Sequence, residues 1–162
     1  MTVLSPAAVF AQDAKSGQND KGGQHEVGRE LGAVLAWRLT PGIVENNCRD
    51  PDPAGVDARQ KALQDWLDKN APLIKSVDER VAEVAPLALQ VKEGMDPVWM
   101  IQRQVGAILK ESLFAGKKPE EIAALCKGEA DPASPRWNNN GMPNIPNALA
   151  ALYDWKVQHT AR

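Results

Sequence analysis

The sequence has few of the residues that enzymes commonly use as nucleophiles, bases or metal ligands. Among its 162 residues are two histidines and two cysteines. His25 and Glu26 do not begin a zinc-binding HExxH helix, because Arg29 stands in the place of the second histidine. No serine lies in a GxSxG turn, and no glycine-rich phosphate loop is present. The sequence therefore predicts no catalytic residue, no metal ligand and no cofactor, and it favours a non-catalytic role.

The chain also has neither the charge that nucleic acids attract nor the long apolar run that membranes require. Lys and Arg total 19 against 21 Asp and Glu, for a formal net charge of −2. No dense basic block could supply the phosphate contacts that nucleic acids demand. The longest apolar runs fall far short of the roughly 20 residues of a membrane-spanning helix. We expect no nucleic-acid partner and no integral membrane segment.

The first residues resemble the end of an export signal. Met1 to Ala11 finishes with the small residues Val9 and Ala11, a pattern typical of signal-peptidase cleavage before Gln12. A basic start and a full apolar stretch are missing, so a chance resemblance in a loose N-terminus is the alternative. Residues 12–24 have no apolar anchor. We predict a signal-peptide remnant and flexible arm over 1–24 and a single helical domain over 25–162.

The two cysteines, Cys48 and Cys126, favour the same compartment. One intramolecular disulfide is their simplest arrangement in an oxidising environment. It would close a loop whose constraint on the unfolded chain is worth roughly 4.5 kcal/mol in the chain-entropy model. Two buried free thiols in a cytosolic protein are the alternative. We predict the disulfide, and with it a periplasmic or secreted protein.

Apolar residues recur at helical spacing through most of the chain, with no internal repeat and no clear strand pattern. We predict an all-α, single-domain bundle of five to seven helices. A turn or kink is expected at Pro41, a new helix is expected to begin near Pro72, and a bend or helix end is expected at Pro86, with Asp52 and Asp96 as N-caps. The predicted helices are 25–40, 42–48, 53–70, 70–86, 97–115, 119–127 and 146–157, and a long loop spans 129–147.

The helix that begins at Pro97 carries a second surface opposite its apolar stripe. This surface contains Trp99, Arg103, Lys110 and Phe114 around Gly106. Spacings of three and four residues let these side chains touch. Trp, Phe and Arg commonly anchor interfaces, so this surface is the leading candidate for a binding site. The alternative is that the helix is central, and that its aromatics pack against other helices.

Two further candidates are a cation on the first helix and a tryptophan loop. Arg38 lies within the apolar stripe, where it would bind an anion or a partner, or pair with a carboxylate such as Glu45 or Glu83. Arg136 and Trp137 precede several amides and suit a rigid binding loop. In the alternative, Trp137 only plugs its loop onto the core.

These features favour an exported, non-catalytic factor that binds another protein, such as an immunity or envelope assembly protein. A homodimer is a further option. One alternative is a binder of a small anionic or hydrophobic ligand in a cleft between helices, with Arg38, Arg103 or Lys110 as the charge anchor. A less favoured alternative is a helical enzyme that stabilises an anion electrostatically.

Overall fold

The computed structural model describes residues 21–138 and 144–161, and it describes side chains from residue 23 onward. This part of the chain folds into α-helices without a strand, so the predicted all-α bundle is confirmed. The predicted signal-peptide remnant at residues 1–11, residues 12–20 of the predicted arm and residues 139–143 of the predicted loop lie outside the described residues. The helices are α1 (Lys21–Asn47), α2 (Val56–Ala88), α3 (Pro97–Phe114), α4 (Pro119–Glu129) and α5 (Ile145–Thr160), and a 3₁₀ turn (Pro53–Gly55) precedes α2.

Prolines do not divide the long helices where the sequence predicted. The predicted separate helices on either side of Pro41 and near Pro72 are wrong, because α1 continues through Pro41 and α2 continues through Pro72. A proline removes one backbone hydrogen bond from a helix. Buried residues lie on both sides of each, such as Trp37 and Val44 around Pro41, so packing holds the two halves in one helix. Pro86 lies two residues before the last residue of α2, near the predicted end.

Side-chain caps and turn glycines set the other helix ends much as predicted. The Asp96 carboxylate accepts a hydrogen bond from the Val98 backbone N–H at 2.8 Å, which caps α3. Gly116 follows α3 with a φ of +73°, a conformation that glycine adopts without steric cost. Asn144 caps α5 through the Asn147 N–H. At these positions, capping residues and glycine in the sequence are sufficient to locate the helix ends.

The main core lies where α1 packs against α2, α3 and α5. Trp37 of α1 and Trp66 of α2 meet at its centre, with ring centroids 4.9 Å apart. A second, smaller apolar cluster surrounds the disulfide. Its buried members are Val44, Cys48 and Cys126, with Leu113, Phe114, Ile122 and Leu125 packed against them.

The predicted disulfide between Cys48 and Cys126 is confirmed, and it connects the end of α1 to α4. Helix α4 packs only lightly against the other helices. The disulfide and its small apolar cluster are therefore the main attachment of α4 to the bundle.

A buried arginine joins these two segments to α2. The Arg59 side chain, on the first turn of α2, is fully buried. Its Nη2 donates to the Cys48 carbonyl oxygen at 2.9 Å, and its Nη1 donates to the Cys126 carbonyl oxygen at 3.0 Å. Both nitrogens also bind Asp52, through its carboxylate and its carbonyl. We call Arg59, Asp52 and the disulfide the Arg59 clamp.

Asp52 therefore has a different role from the helix cap that the sequence predicted. Its side chain makes no capping hydrogen bond at the 3₁₀ turn. The carboxylate instead pairs with the buried guanidinium, which needs a counter-charge. The expected cap is wrong because the Asp52 carboxylate forms an ion pair with the buried Arg59 guanidinium, and this pairing is worth more than a capping hydrogen bond.

Gly55 leaves the space that the Arg59 clamp occupies. A Cβ atom at position 55 would lie 2.2 Å from the Asp52 Oδ2 and 2.5 Å from the Arg59 Nη1. It would also lie 3.0 Å from the Ala130 Cβ. Any side chain at this position must push the ion pair apart.

We predict that Gly55→Ala lowers the free energy of unfolding by about 1–3 kcal/mol, the usual cost of overpacking. Urea denaturation under non-reducing conditions measures the change. Gly42→Ala is the matched control, because a Cβ there would meet nothing within 4 Å. This control lies inside a helix and should gain stability by up to about 1 kcal/mol. Equal effects of the two substitutions would show that the clamp tolerates the added carbon.

Candidate functional site

Trp99 is the most prominent aromatic side chain on the surface of α3. It is 49% exposed, although it is one of the largest apolar side chains in the protein. The Arg103 guanidinium lies over its ring, 5.0 Å from the centroid, one helical turn further along. This distance is within the range of a cation–π contact. Such a contact favours the observed orientation of the exposed indole.

The remaining members of the predicted α3 surface separate into two environments. Lys110 is exposed and makes no ion pair among the described residues. Phe114 is half-buried and packs against the disulfide cluster. Gly106 faces α1, since a Cβ there would lie 3.9 Å from the Ile43 Cδ1. The surface that sequence reasoning treated as one therefore keeps Trp99, Arg103 and Lys110 and loses Phe114 to packing.

Two exposed apolar residues that the sequence analysis missed stand near Trp99 in the chain. Leu87 is near the end of α2 and Met95 lies two residues before α3, and both are exposed. We call Trp99 and Arg103, which contact each other on α3, the Trp99 surface. The sequence signal for both was their position, because Leu87 follows Pro86 and Met95 follows Gly94. An apolar residue next to a helix-ending proline or glycine need not pack on the core.

Arg38 connects two helices and does not stand free. Its Nε lies 3.2 Å from the Asp78 Oδ1 on α2. The expected partners are different residues: Glu45 pairs with Arg49, and Glu83 pairs with Arg80 and Lys156. The Arg38–Asp78 pair is partly exposed, so its contribution to stability is at most about 1 kcal/mol.

Arg136 and Trp137 hold their loop against the end of α4. Trp137 is 6% exposed and belongs to the main core. Its indole N–H donates to the Glu129 carbonyl oxygen at 2.9 Å. The Arg136 guanidinium lies 3.0 Å from the Glu129 carboxylate, which also accepts from Ser134. Both side chains are thus used in internal contacts, as the plug alternative expected.

A second exposed aromatic, Tyr153 on α5, lies among charges that join α5 to α2. The Arg80 guanidinium is 4.7 Å from its ring centroid, and the Lys156 ammonium is 6.0 Å away. Glu83 pairs with both cations, at 2.8 Å and 3.1 Å. These contacts pair the charged side chains around Tyr153 with one another. Fewer unpaired charges are therefore available to a partner here than beside Trp99.

A cavity of about 290 Å³ lies between the first turns of α1 and the last turns of α5. Glu26, Glu30 and Asp154 are among its lining residues. The Glu30 carboxylate hydrogen-bonds to Arg29 and raises the pKa of that arginine. Arg38, Arg103 and Lys110 do not line this cavity, so its charge is opposite to that expected of an anion-binding cleft.

Within 21–138 and 144–161, no group of three or more His, Cys, Asp or Glu side chains is placed to hold a metal ion. None of the described helices combines the length and apolar character needed to cross a membrane.

We predict opposite outcomes for two tryptophan substitutions. Trp137→Ala should lower the free energy of unfolding by about 3–5 kcal/mol, because a buried aromatic is lost from the core. Trp99→Ala should change it by no more than about 1 kcal/mol, since the indole is half exposed. Chemical denaturation followed by circular dichroism measures both. Similar losses would place Trp99 in the core and remove it as a binding candidate.

Comparison with known proteins gives no relative from which a role could be transferred. No family model matches the chain, and neither a curated protein nor a solved structure shows significant similarity to it. The assignment of function therefore depends on the residues and geometry described above.

Proposed function

We propose that this protein is an exported, non-catalytic factor that binds another protein through the Trp99 surface. The observation that carries the proposal is Trp99 itself, an indole that is 49% exposed and covered on one face by Arg103. Burying such a ring in a partner removes apolar area from water without first ordering a flexible side chain.

The cations on the same face of α3 as Trp99 indicate the chemistry of the partner. Arg103 and Lys110 are cations on α3 that have no salt-bridge partner among the described side chains. A partner that offers an apolar pocket flanked by carboxylates would satisfy both the indole and the cations. Trp and Arg are also the residue types that most often dominate binding energy at interfaces.

The same charges argue against a homodimer centred on this surface. In a two-fold dimer each surface patch meets its own copy. Arg103 and Lys110 would then approach the same cations of the second chain, and like charges at an interface are costly. A different protein is therefore the preferred partner.

The disulfide supports the export half of the proposal. Disulfides persist in secreted and periplasmic proteins and are rare in the cytosol. Cys48 and Cys126 form the main attachment of α4, so the position of α4 depends on the oxidised form. An immunity protein or an envelope assembly factor would combine this compartment with a non-catalytic binding surface.

We predict that a photo-crosslinking amino acid at position 99 captures one discrete, exported protein in the native host. The matched control carries the crosslinker in place of Ala58, which is exposed on α2. Illumination followed by mass spectrometry identifies the adduct. A cytosolic partner would contradict the export half, and an adduct of two copies of this chain would contradict the preference for a different protein.

The captured protein then permits a quantitative comparison with purified components. Trp99→Ala should weaken its affinity by about 30-fold, corresponding to the ~2 kcal/mol of an interface hot spot. Tyr153→Ala is the control, because it removes an equally exposed aromatic from α5. No adduct above the position 58 control, or equal effects of the two alanine substitutions, would overturn the proposal.

A further inference from the structure

The apolar contacts of α4 are separate from the main core. They belong to the small cluster around Cys48 and Cys126, which shares no member with the main core. This cluster is thin, because the apolar side chains that flank its buried members are all partly exposed, namely Leu113, Phe114, Ile122 and Leu125. Little buried apolar area is therefore available to hold α4 in place once the disulfide is broken.

The Arg59 guanidinium keeps most of its hydrogen bonds when α4 moves away. Of the four hydrogen bonds that it donates within the described residues, a single one reaches α4, at the Cys126 carbonyl oxygen. The other three go to the Cys48 carbonyl oxygen and to the carboxylate and carbonyl of Asp52. The buried cation also keeps its counter-charge, since that charge is on Asp52. The junction between α1 and α2 therefore does not require α4.

The chain on either side of α4 is anchored without the disulfide. Before α4, Gly116 turns the chain directly after α3, with a φ of +73°. At the other end, the Trp137 indole is buried in the main core and donates to the Glu129 carbonyl oxygen at 2.9 Å. The Arg136 guanidinium pairs with the Glu129 carboxylate. The segment 117–128 can therefore leave the bundle while both of its ends stay attached.

Breaking the disulfide requires a two-electron reductant, and a dithiol supplies both electrons. One thiolate of the dithiol attacks a cysteine sulfur, the S–S bond breaks, and a mixed disulfide forms while the other cysteine leaves as a thiolate. The second thiolate of the dithiol then displaces the remaining cysteine and closes a cyclic disulfide. The protein gains two electrons and, once both cysteines are protonated, two protons. Since both cysteines are buried, the thin cluster around them must open before the attack.

From these observations we propose that the disulfide is a redox-sensitive switch for the position of α4. Reduction by a dithiol releases the segment 117–128, whereas the bundle of α1, α2, α3 and α5 stays folded on the main core. Reoxidation returns α4 to its place. In the released state, Val44 and Phe114 lose the cover that α4 provides. The switch shares no residue with the Trp99 surface and does not depend on it.

Hydrogen exchange of the full chain, followed by mass spectrometry, tests the switch. Dithiothreitol is the dithiol, at about pH 8, close to the ordinary thiol pKa of about 8.5, so that a fraction of the reagent is thiolate. In the oxidised protein, amides of α4 should exchange at least about tenfold more slowly than in the reduced protein. In the reduced protein, amides around Trp66 in α2 should still exchange at least about 100-fold more slowly than those of an unfolded chain. Removal of dithiothreitol and reoxidation in air should restore the slow exchange of α4.

The variant that carries both Cys48→Ala and Cys126→Ala is the control for direct effects of the reagent. It should show fast exchange of α4 with and without dithiothreitol. Alkylation with iodoacetamide and measurement of the intact mass report the thiols that dithiothreitol frees without denaturant, and both cysteines should be alkylated. Three results would each overturn the proposal: a disulfide that is reduced only in denaturant, an α4 that keeps its slow exchange after reduction, or loss of slow exchange around Trp66 on reduction.

Discussion

The position of α4 depends on one buried cation and the disulfide beside it. Arg59 is fully buried and hydrogen-bonds to the carbonyl oxygens of both bridged cysteines, so one side chain ties α1, α2 and α4 together. A buried guanidinium is costly unless it is paired and its donors are satisfied. Asp52 supplies the counter-charge, and Gly55 leaves the room for both groups. The covalent bond fixes which segments meet, and Arg59 fixes how their backbones lie.

The Trp99 surface and the acidic cavity belong to the other part of the molecule, which apolar packing holds together. Helices α1, α2, α3 and α5 share the main core, and the Trp99 surface and the acidic cavity lie on its outside. The two sites have opposite charge, with cations beside Trp99 and carboxylates around the cavity. The segment after α4 connects the two parts, because Trp137 reaches from it into the main core.

Apolar periodicity was sufficient to predict the helices, because burial of one face stabilises each of them. It failed at Pro41 and near Pro72, where tertiary packing outweighs the local cost of a proline. The disulfide followed from having two cysteines and an export-like start, but Arg59 was missed because a charged residue is normally assigned to the surface. Its position on the same α2 face as Ala62 and Trp66 was the available signal. The cavity could not be predicted, since it depends on how the start of α1 meets the end of α5.

The central claim is that Arg59 and the disulfide act as one unit. A double-mutant cycle tests it, with the free energy of unfolding measured in urea for the unaltered protein, Arg59→Met, the Cys48→Ala and Cys126→Ala pair, and all three changes together. We predict that the combined loss is smaller than the sum of the separate losses by at least about 1 kcal/mol, because either change alone already releases α4. Losses that add within about 0.5 kcal/mol would contradict the account and show that Arg59 and the disulfide stabilise the bundle independently.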